Sequence, residues 1–540
     1  MTEPSSAPGA FWWRGAVIYQ IYPRSFADSN GDGIGDLPGI IEKLDYIADL
    51  GVDGIWLSPF YTSPMKDFGY DVADYCDVDP IFGTLADFDR LAQRAHDLGL
   101  KIIIDQVYSH TSDRHDWFRN SRSARDSEKS DWYVWAEAKP DGSPPNNWLS
   151  VFGGPAWSWD TKRRQYYLHN FLAEQPDLNF HNPAVQDALL NVARFWMDRG
   201  VDGFRLDVAN YYFHDQELRD NPASGSNDPG RPYGFQQHLY NRSRPETIGF
   251  LERLRATLDT YDARMTVAEI ASSSNLARSI EYTEGDHRLH TAYNFHLLEC
   301  SEPSAAFIQS ALEAWQGVDA WPSWSLSNHD VKRSLSRWGA DCETPARAKL
   351  LVALLLTLRG TIFLYQGEEL GLPQADVPFD DLRDPEAIRF WPDNLGRDGS
   401  RTPMPWLSNA PEAGFSDVAA WLPASPQHRA LAVDVQKKDP TSVASFVKRL
   451  LSVRRHLPAL IDGDITFIPV PGGVLAFERR SKNERVFCAF NLSADANAQF
   501  ELPMYAETEP IEIVCQGTKL EDGSVQLEPN GVFFARARNR

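Results

Sequence analysis

Eight short apolar, β-rich runs recur along this chain, and longer amphipathic stretches separate them. The runs cover 16–23, 54–59, 101–107, 203–209, 265–270, the weaker 291–297, 324–330 and 361–369. The segment 85–99, LADFDRLAQRAHDLG, shows the helical period found between them. Strand–helix alternation implies parallel pairing, and eight such units can close on themselves. The predicted fold is therefore α/β, a (β/α)8 TIM barrel, with polar residues at the C-terminal strand ends where barrel loops build sites.

Two interruptions define further modules. Between Ser109 and Phe180 the chain is rich in Trp, Gly and Pro, too long for a simple connection, and reads as a subdomain inserted after strand three. Past Asp464 the pattern turns to short alternating runs (FIPV, GVLAFER, RVFCAFNLS, IEIVCQ, GVFFARAR), an antiparallel β-sandwich-like module. The expected division is a barrel over 1–108 and 181–463, an inserted subdomain over 109–180 and the β module over 464–540. Long loops over 209–245 and 371–410 read as walls or lids.

The formal net charge of −22 repels phosphate backbones and argues against a nucleic-acid partner. The five cysteines, at 76, 300, 342, 488 and 515, are odd in number, widely spaced and contain no CxxC pair. No apolar run reaches membrane-spanning length, and the first residues lack a basic and apolar leader pattern. The expectation is a cytoplasmic protein, without a membrane partner, monomeric or homodimeric. The 17 Trp suit either a large core or the stacking faces of a sugar cleft.

Carboxylates fall at the ends of the fourth, fifth and seventh runs: Asp207 in GFRLD, Glu269 in AEI and Asp330 in SNHD. Arg205 and Asp207 are two apart on a strand and so share a side. An arginine beside a carboxylate favours its ionised form, as a glycosyl nucleophile requires. A Glu in a partly apolar setting suits a general acid. Any one of these alone is most often a structural feature; three on one predicted barrel mouth are not.

Asp105-Gln106-Val107-Tyr108-Ser109-His110, GFRLD, the Glu269 segment and SNHD resemble the four signature regions of the α-amylase family of glycoside hydrolases. Gln175-Pro176-Asp177-Leu178-Asn179 resembles the extra signature of its oligo-1,6-glucosidase-type subfamily. Matches run from about Trp13 to about Trp406 and include Tyr22-Pro23-Arg24-Ser25-Phe26, Lys66-Asp67-Phe68-Gly69-Tyr70-Asp71 and Arg401-Thr402-Pro403-Met404-Pro405-Trp406.

The resemblance implies a retaining, exo-acting α-glucosidase that releases or transfers terminal glucose from small α-glucosides to water or another hydroxyl acceptor. Asp207 would be the nucleophile, Glu269 the acid/base and Asp330 the carboxylate that holds sugar hydroxyls. Arg205, His110 and His329 would hold the terminal glucosyl unit and the carboxylates. Asp67 would cap the non-reducing end with Arg397, Arg401 being the competing arginine. Tyr70 would stack under the sugar, and Phe152 and Phe171 could wall the pocket.

Linkage points two ways. Val208, after the nucleophile, is usually associated with α-1,6 activity, whereas Ala268-Glu269-Ile270 and the 209–245 loop favour short α-1,4 substrates such as maltose. Isomaltose-type substrates and a trehalose or sucrose isomerase are the alternatives. Asp381-Leu382-Arg383-Asp384-Pro385 does not reproduce the Arg-rich motif of sucrose isomerases.

Asp28, Asn30, Asp32, the Ile34 carbonyl and Asp36 alternate oxygens as in the first part of an EF-hand loop, without its terminal Glu. Oxygen donors select a hard cation, so one structural Ca2+ or Mg2+ is expected there.

Overall fold

The computed structural model of the chain describes residues 11–271, 275–339, 343–470, 472–502, 508–521 and 523–538. Cys342 and the first ten residues lie outside these. The barrel strands are β1 (Val17–Ile21), β2 (Gly54–Leu57), β3 (Lys101–Gln106), β4 (Gly203–Leu206), β5 (Met265–Ala268), β6 (Thr291–Tyr293), β7 (Pro322–Trp324) and β8 (Thr361–Tyr365). Each pairs in parallel with its sequence neighbours, and β8 returns to β1, closing the barrel. Closure leaves no free edge, so every strand can be short and buried on both faces.

Several predicted runs overreach their strands. The sixth run yields only Thr291–Tyr293, because Asn294 caps a helix over Phe295–Glu299 through His296 N–H. The seventh strand is Pro322–Trp324, so Ser325 to Asp330 form the loop beyond it. The eighth run ends as a strand at Tyr365, and Glu368–Leu370 turn tightly after it. In the β module, FIPV contributes only Phe467 to a strand, Asp464–Phe467; Pro469 cannot donate to a ladder. IEIVCQ is a turn over Glu512–Val514 rather than a strand.

The local chemistry of the helices is conventional. Asp36 caps Leu37–Leu50 by accepting from Gly39 N–H at 2.6 Å, and Gly51, at φ 95°, ends that helix in the left-handed region. Thr84 and Asp87 form a reciprocal capping box on Leu85–Asp97. Pro345–Thr357 is different: every residue from Leu350 to Thr357 is buried. It is apolar all round because the barrel lies on one side and the β module on the other. The buried Arg479 of the β module bonds the Thr357 carbonyl at 2.6 Å, placing a cation at the helix C-terminus.

Between Gln106 and the helix Pro183–Asp198 the chain builds a three-stranded sheet with Trp157–Asp160 at one edge, and Trp148 stacks on Trp157. The bridge His110–Asp177 ties this insert to the barrel mouth. The β module is organised by one long strand, Ser524–Arg538. Its first part pairs with Ala498–Glu501 and its last part with Glu484–Asn491. Among the described residues no helix is long and apolar enough to cross a membrane.

Trp196 shows how the outer helices are held. Its ring meets Phe88 at 4.8 Å and Phe60 at 5.5 Å, and its indole N–H bonds the Tyr75 carbonyl at 2.8 Å. Trp196→Ala should lower unfolding free energy by about 3–5 kcal/mol, as expected for a fully buried large aromatic. Urea unfolding followed by fluorescence and circular dichroism checks this; a loss under about 1 kcal/mol would contradict the packing described.

Candidate active site

Strand register brings the charged groups together. On β3 and β4, Asp105 lies opposite Arg205. Asp207 N–H continues the ladder one residue past β4 by donating to the Gln106 carbonyl at 3.0 Å. Glu269 follows β5 directly, and its N–H donates to the Leu206 carbonyl at 2.9 Å. Asp207, Glu269 and Asp330 then face one cavity of about 780 Å³ at the C-terminal end of the barrel.

Arg205 is the hub, only 1% exposed. One terminal nitrogen donates to Asp105 at 2.8 Å and to Asp207 at 2.7 Å, and the other donates to Glu269. Trp56 lies against the guanidinium at 5.3 Å. Burial pushes the Asp207 carboxyl well up, the neighbouring Glu269 and Asp105 push it the same way, and Arg205 opposes them. Burial also raises Asp105 to about 6. Asp105 and Asp207 are thus both biased toward their protonated forms, with Arg205 opposing that bias at each. Asp207 and Glu269, bonded to the two terminal nitrogens of one guanidinium, are thereby held close to each other.

Val208 separates the nucleophile candidate from the following turn at φ 33° and ψ 52°. A β-branched residue in the left-handed region is strained. That conformation turns its N–H onto the Glu269 carboxylate at 3.2 Å.

The opposite wall carries Tyr70, His329 and Asp330. The Tyr70 hydroxyl lies 3.2 Å from Asp105 and 2.5 Å from His329 Nε2, and its ring stacks parallel to the imidazole. Burial opposes ionisation of Asp330, but the adjacent His329 ring and, above all, the permanently charged guanidiniums of Arg401 and Arg397 hold the carboxyl below its ordinary range. His110 is driven down to about 4 by burial and donates from Nε2 to the Tyr70 carbonyl at 3.1 Å.

Asp67 and Arg397 close the cavity floor. Arg397 donates to Asp67 at 2.9 Å and to Asp330 at 3.4 Å. Arg401 instead lies behind the site: it bonds Asp330 at 2.8 Å and the His329 carbonyl at 2.7 Å, and is buried. The geometry therefore pairs Asp67 with Arg397. Phe152 lies 5.4 Å from the Arg397 guanidinium, and Phe171 packs 5.1 Å from His110; both line the cavity.

The cavity wall and the residues behind it include groups to which sequence reasoning assigns no role. Asp384 grips Arg397 twice, at 3.0 Å and 2.8 Å, and accepts its backbone N–H at 2.7 Å. Its sequence signal is only that of a helix cap before Pro385. Gln175 donates to Asp67 at 3.2 Å. The 209–245 loop supplies Tyr211, Tyr233 and Arg242: the two hydroxyls meet at 2.8 Å and Arg242 bonds Tyr211 at 3.0 Å.

The predicted cation loop closes on itself through oxygens. Asp28 accepts from Gly31 and Gly33 N–H at 2.8 Å each, Asn30 from Asp32 N–H at 2.9 Å, and Asp32 from Ile34 N–H at 2.8 Å. Gly33 has φ 87°, and a Cβ there would meet the Ala419 carbonyl at 2.4 Å. Asp36 also works as the helix cap described above. Asp28 also accepts from Asn30 N–H at 3.1 Å and Ser416 Oγ at 2.6 Å, and Asp36 from Ser29, so a cation here would have to displace some of these bonds; the donors are all oxygen, the type a hard cation takes.

Asp384 orients Arg397 with two oxygens, and the charge is what matters for that grip. Asp384→Asn keeps the cap and removes the charge. It should raise KM for a small α-glucoside about tenfold, about 1.4 kcal/mol of binding. Steady-state kinetics checks this, and an unchanged KM would detach Asp384 from the site.

Comparison with known proteins agrees with this geometry. Residues 20–463 match the α-amylase catalytic domain, and 465–533 match the maltogenic amylase C-terminal domain. A probable α-glucosidase of Rhizobium meliloti is 54% identical over 99% of both chains. An oligo-1,6-glucosidase of Heyndrickxia coagulans is 38% identical over 91% of this chain and 94% of its own. Among solved structures, the α-glucosyl transfer enzyme XgtA superimposes with a TM-score of 0.94 at 54% identity, covering 98% of this chain and 99% of that one. The trehalulose synthase MutB of Pseudomonas mesoacidophila gives 0.88 at 32% identity, covering 98% and 100%. A closed parallel barrel, three carboxylates at its mouth and a family match over most of its length make this chain a member of the α-amylase family of glycoside hydrolases.

Proposed function

We propose that this chain is a retaining, exo-acting α-glucosidase that works by double displacement. The observation that carries the reading is the closed floor: Asp67 and Arg397 pair at 2.9 Å on the Asp330 side of a cavity that also exposes Asp207 and Glu269. A single terminal glucosyl unit fits against such a floor, and a chain continuing past it does not.

In the first step the Asp207 carboxylate attacks the anomeric carbon. The glycosidic C–O bond breaks, and Glu269 gives its proton to the departing oxygen. Arg205, shared by both carboxyls, keeps attacking and protonating groups on one scaffold. In the second step water or another hydroxyl attacks the glucosyl–Asp207 ester. Its proton passes to Glu269, and the carboxylate of Asp207 is released. Two inversions give retention. Asp330, held ionised, accepts sugar hydroxyl hydrogens and stabilises the oxocarbenium-like transition state.

Maltose-type α-1,4 disaccharides are the proposed substrates; the 209–245 loop, which lines the cavity with the hydrogen-bonded pair Tyr211 and Tyr233, supports short substrates. Val208 favours α-1,6 substrates as the second reading, and the Heyndrickxia coagulans relative bears that name. Transfer to hydroxyl acceptors is part of the proposal, supported by the likeness to XgtA. The loop 28–36 would hold one Ca2+ or Mg2+ away from the chemistry, stiffening the turn after β1. Cys76, Cys300, Cys488 and Cys515 are free thiols, which supports a reducing, cytoplasmic setting.

Purified protein should release nitrophenol from p-nitrophenyl α-D-glucoside, and Asp207→Asn should be nearly silent. Silence of the wild type would overturn the reading. Turnover on maltose should exceed that on isomaltose; the reverse preference makes the α-1,6 reading correct. Elemental analysis of chelator-free protein should find about one equivalent of calcium or magnesium, and its absence refutes the cation site.

A further inference from the structure

We infer that Gln20 is a positioning residue that fixes the tautomer of His329 and thereby the orientation of Tyr70 and Asp330 in the site. Gln20 lies on β1, in register with Trp56 and Tyr365, and is 1% exposed. Its side-chain amide approaches His329 Nδ1 at 2.8 Å and Ser58 Oγ at 3.3 Å. No signature motif draws attention to it, and it does not line the cavity.

The proton positions follow from the neighbours. His329 Nε2 lies 3.1 Å from Asp330 Oδ2, whose partner oxygen is bonded by Arg401 at 2.8 Å and approached by Arg397 at 3.4 Å. A carboxylate so held is an acceptor only, so Nε2 must carry hydrogen. A second hydrogen on Nδ1 would make an imidazolium, which burial and the guanidiniums of Arg401, Arg205 and Arg397 oppose while Asp330 alone favours it. His329 is accordingly neutral, pushed down to about 3 chiefly by burial. Its Nδ1 is then bare and needs a donor, which the Gln20 amide nitrogen supplies.

The consequence runs across the site. Nε2–H points at the Tyr70 hydroxyl, 2.5 Å away, with Asp330 Oδ2 close by at 3.1 Å. Tyr70 can then donate onward to Asp105 at 3.2 Å, and Asp105 is bonded to Arg205. With the opposite tautomer a bare Nε2 would face ionised Asp330, and Tyr70 would have to turn its hydrogen from Asp105 to His329. Tyr22, stacked at 5.5 Å on one face of the imidazole, Tyr70 at 5.5 Å on another and Trp56 edge-on at 6.0 Å fix the ring plane, but none selects which nitrogen is protonated. Gln20 does that.

The inference rests on the site assignment above, but its first readout is independent of turnover. In protein labelled with 15N-histidine, long-range 15N–1H spectra should show one ring as neutral with hydrogen on Nε2 from pH 5 to 8. A His329→Gln variant identifies that signal by its loss. A Nδ1–H pattern, or titration in that range, overturns the proposal. Gln20→Met should lower kcat about tenfold with little change in KM. Gln20→Glu places an anion at Nδ1, raises the His329 pKa and should add an acid-side ionisation to the pH profile, with activity recovering as pH rises. Wild-type kcat and pH profile in both variants would refute the role. Should one variant fail to fold, kcat and the His329 ring signal of the other decide.

Discussion

A single buried guanidinium holds the working end of this molecule together. Arg205 meets Asp105, Asp207 and Glu269, each from a different barrel strand or its extension. Removing charges from water is costly, and a lone buried carboxylate would protonate or unfold its surroundings. The shared cation makes the cluster tolerable, and its geometry dictates where the strand ends must lie. The barrel supplies that geometry: parallel register places Arg205 opposite Asp105 on one side and Val267, two residues before Glu269, on the other.

Around this centre, charge is handled in layers. Arg397 joins Asp67 to Asp330 and is itself gripped by Asp384, whose carboxyl is held at about 2 despite burial because Arg397 lies beside it. Arg401 supports Asp330 from behind. The imidazoles of His110 and His329 stay neutral and act through hydrogen-bond direction rather than charge. Loops from four barrel ends therefore contribute fixed dipoles and charges to one cavity, the preorganised setting in which developing charge on a glucosyl ring is stabilised.

What the sequence made legible is what strand periodicity controls. Asp207, Glu269 and Asp330 lie at or beyond strand ends, where alternation and fold class locate a side chain. Asp384 and Gln20 escaped because their meaning lies in partners that no local pattern connects. Gln20 reads as an ordinary interior polar residue until His329 is brought against it, 309 positions away. The choice between Arg397 and Arg401 likewise needed the loop's path. The β module was legible as antiparallel, but FIPV and IEIVCQ misled as strands: Pro469 lacks an N–H to pair, and a single tight turn at Glu512–Val514 preserves the apolar spacing without the ladder.

The central claim is that glucose passes through a covalent bond to Asp207. Mass spectrometry of protein stopped during incubation with a slowly released fluoro-α-glucosyl fluoride tests this directly. The account predicts one added sugar per chain, with the mass shift mapping to the peptide that contains Asp207. No adduct while the reagent is turned over, or an adduct on another residue, would contradict it.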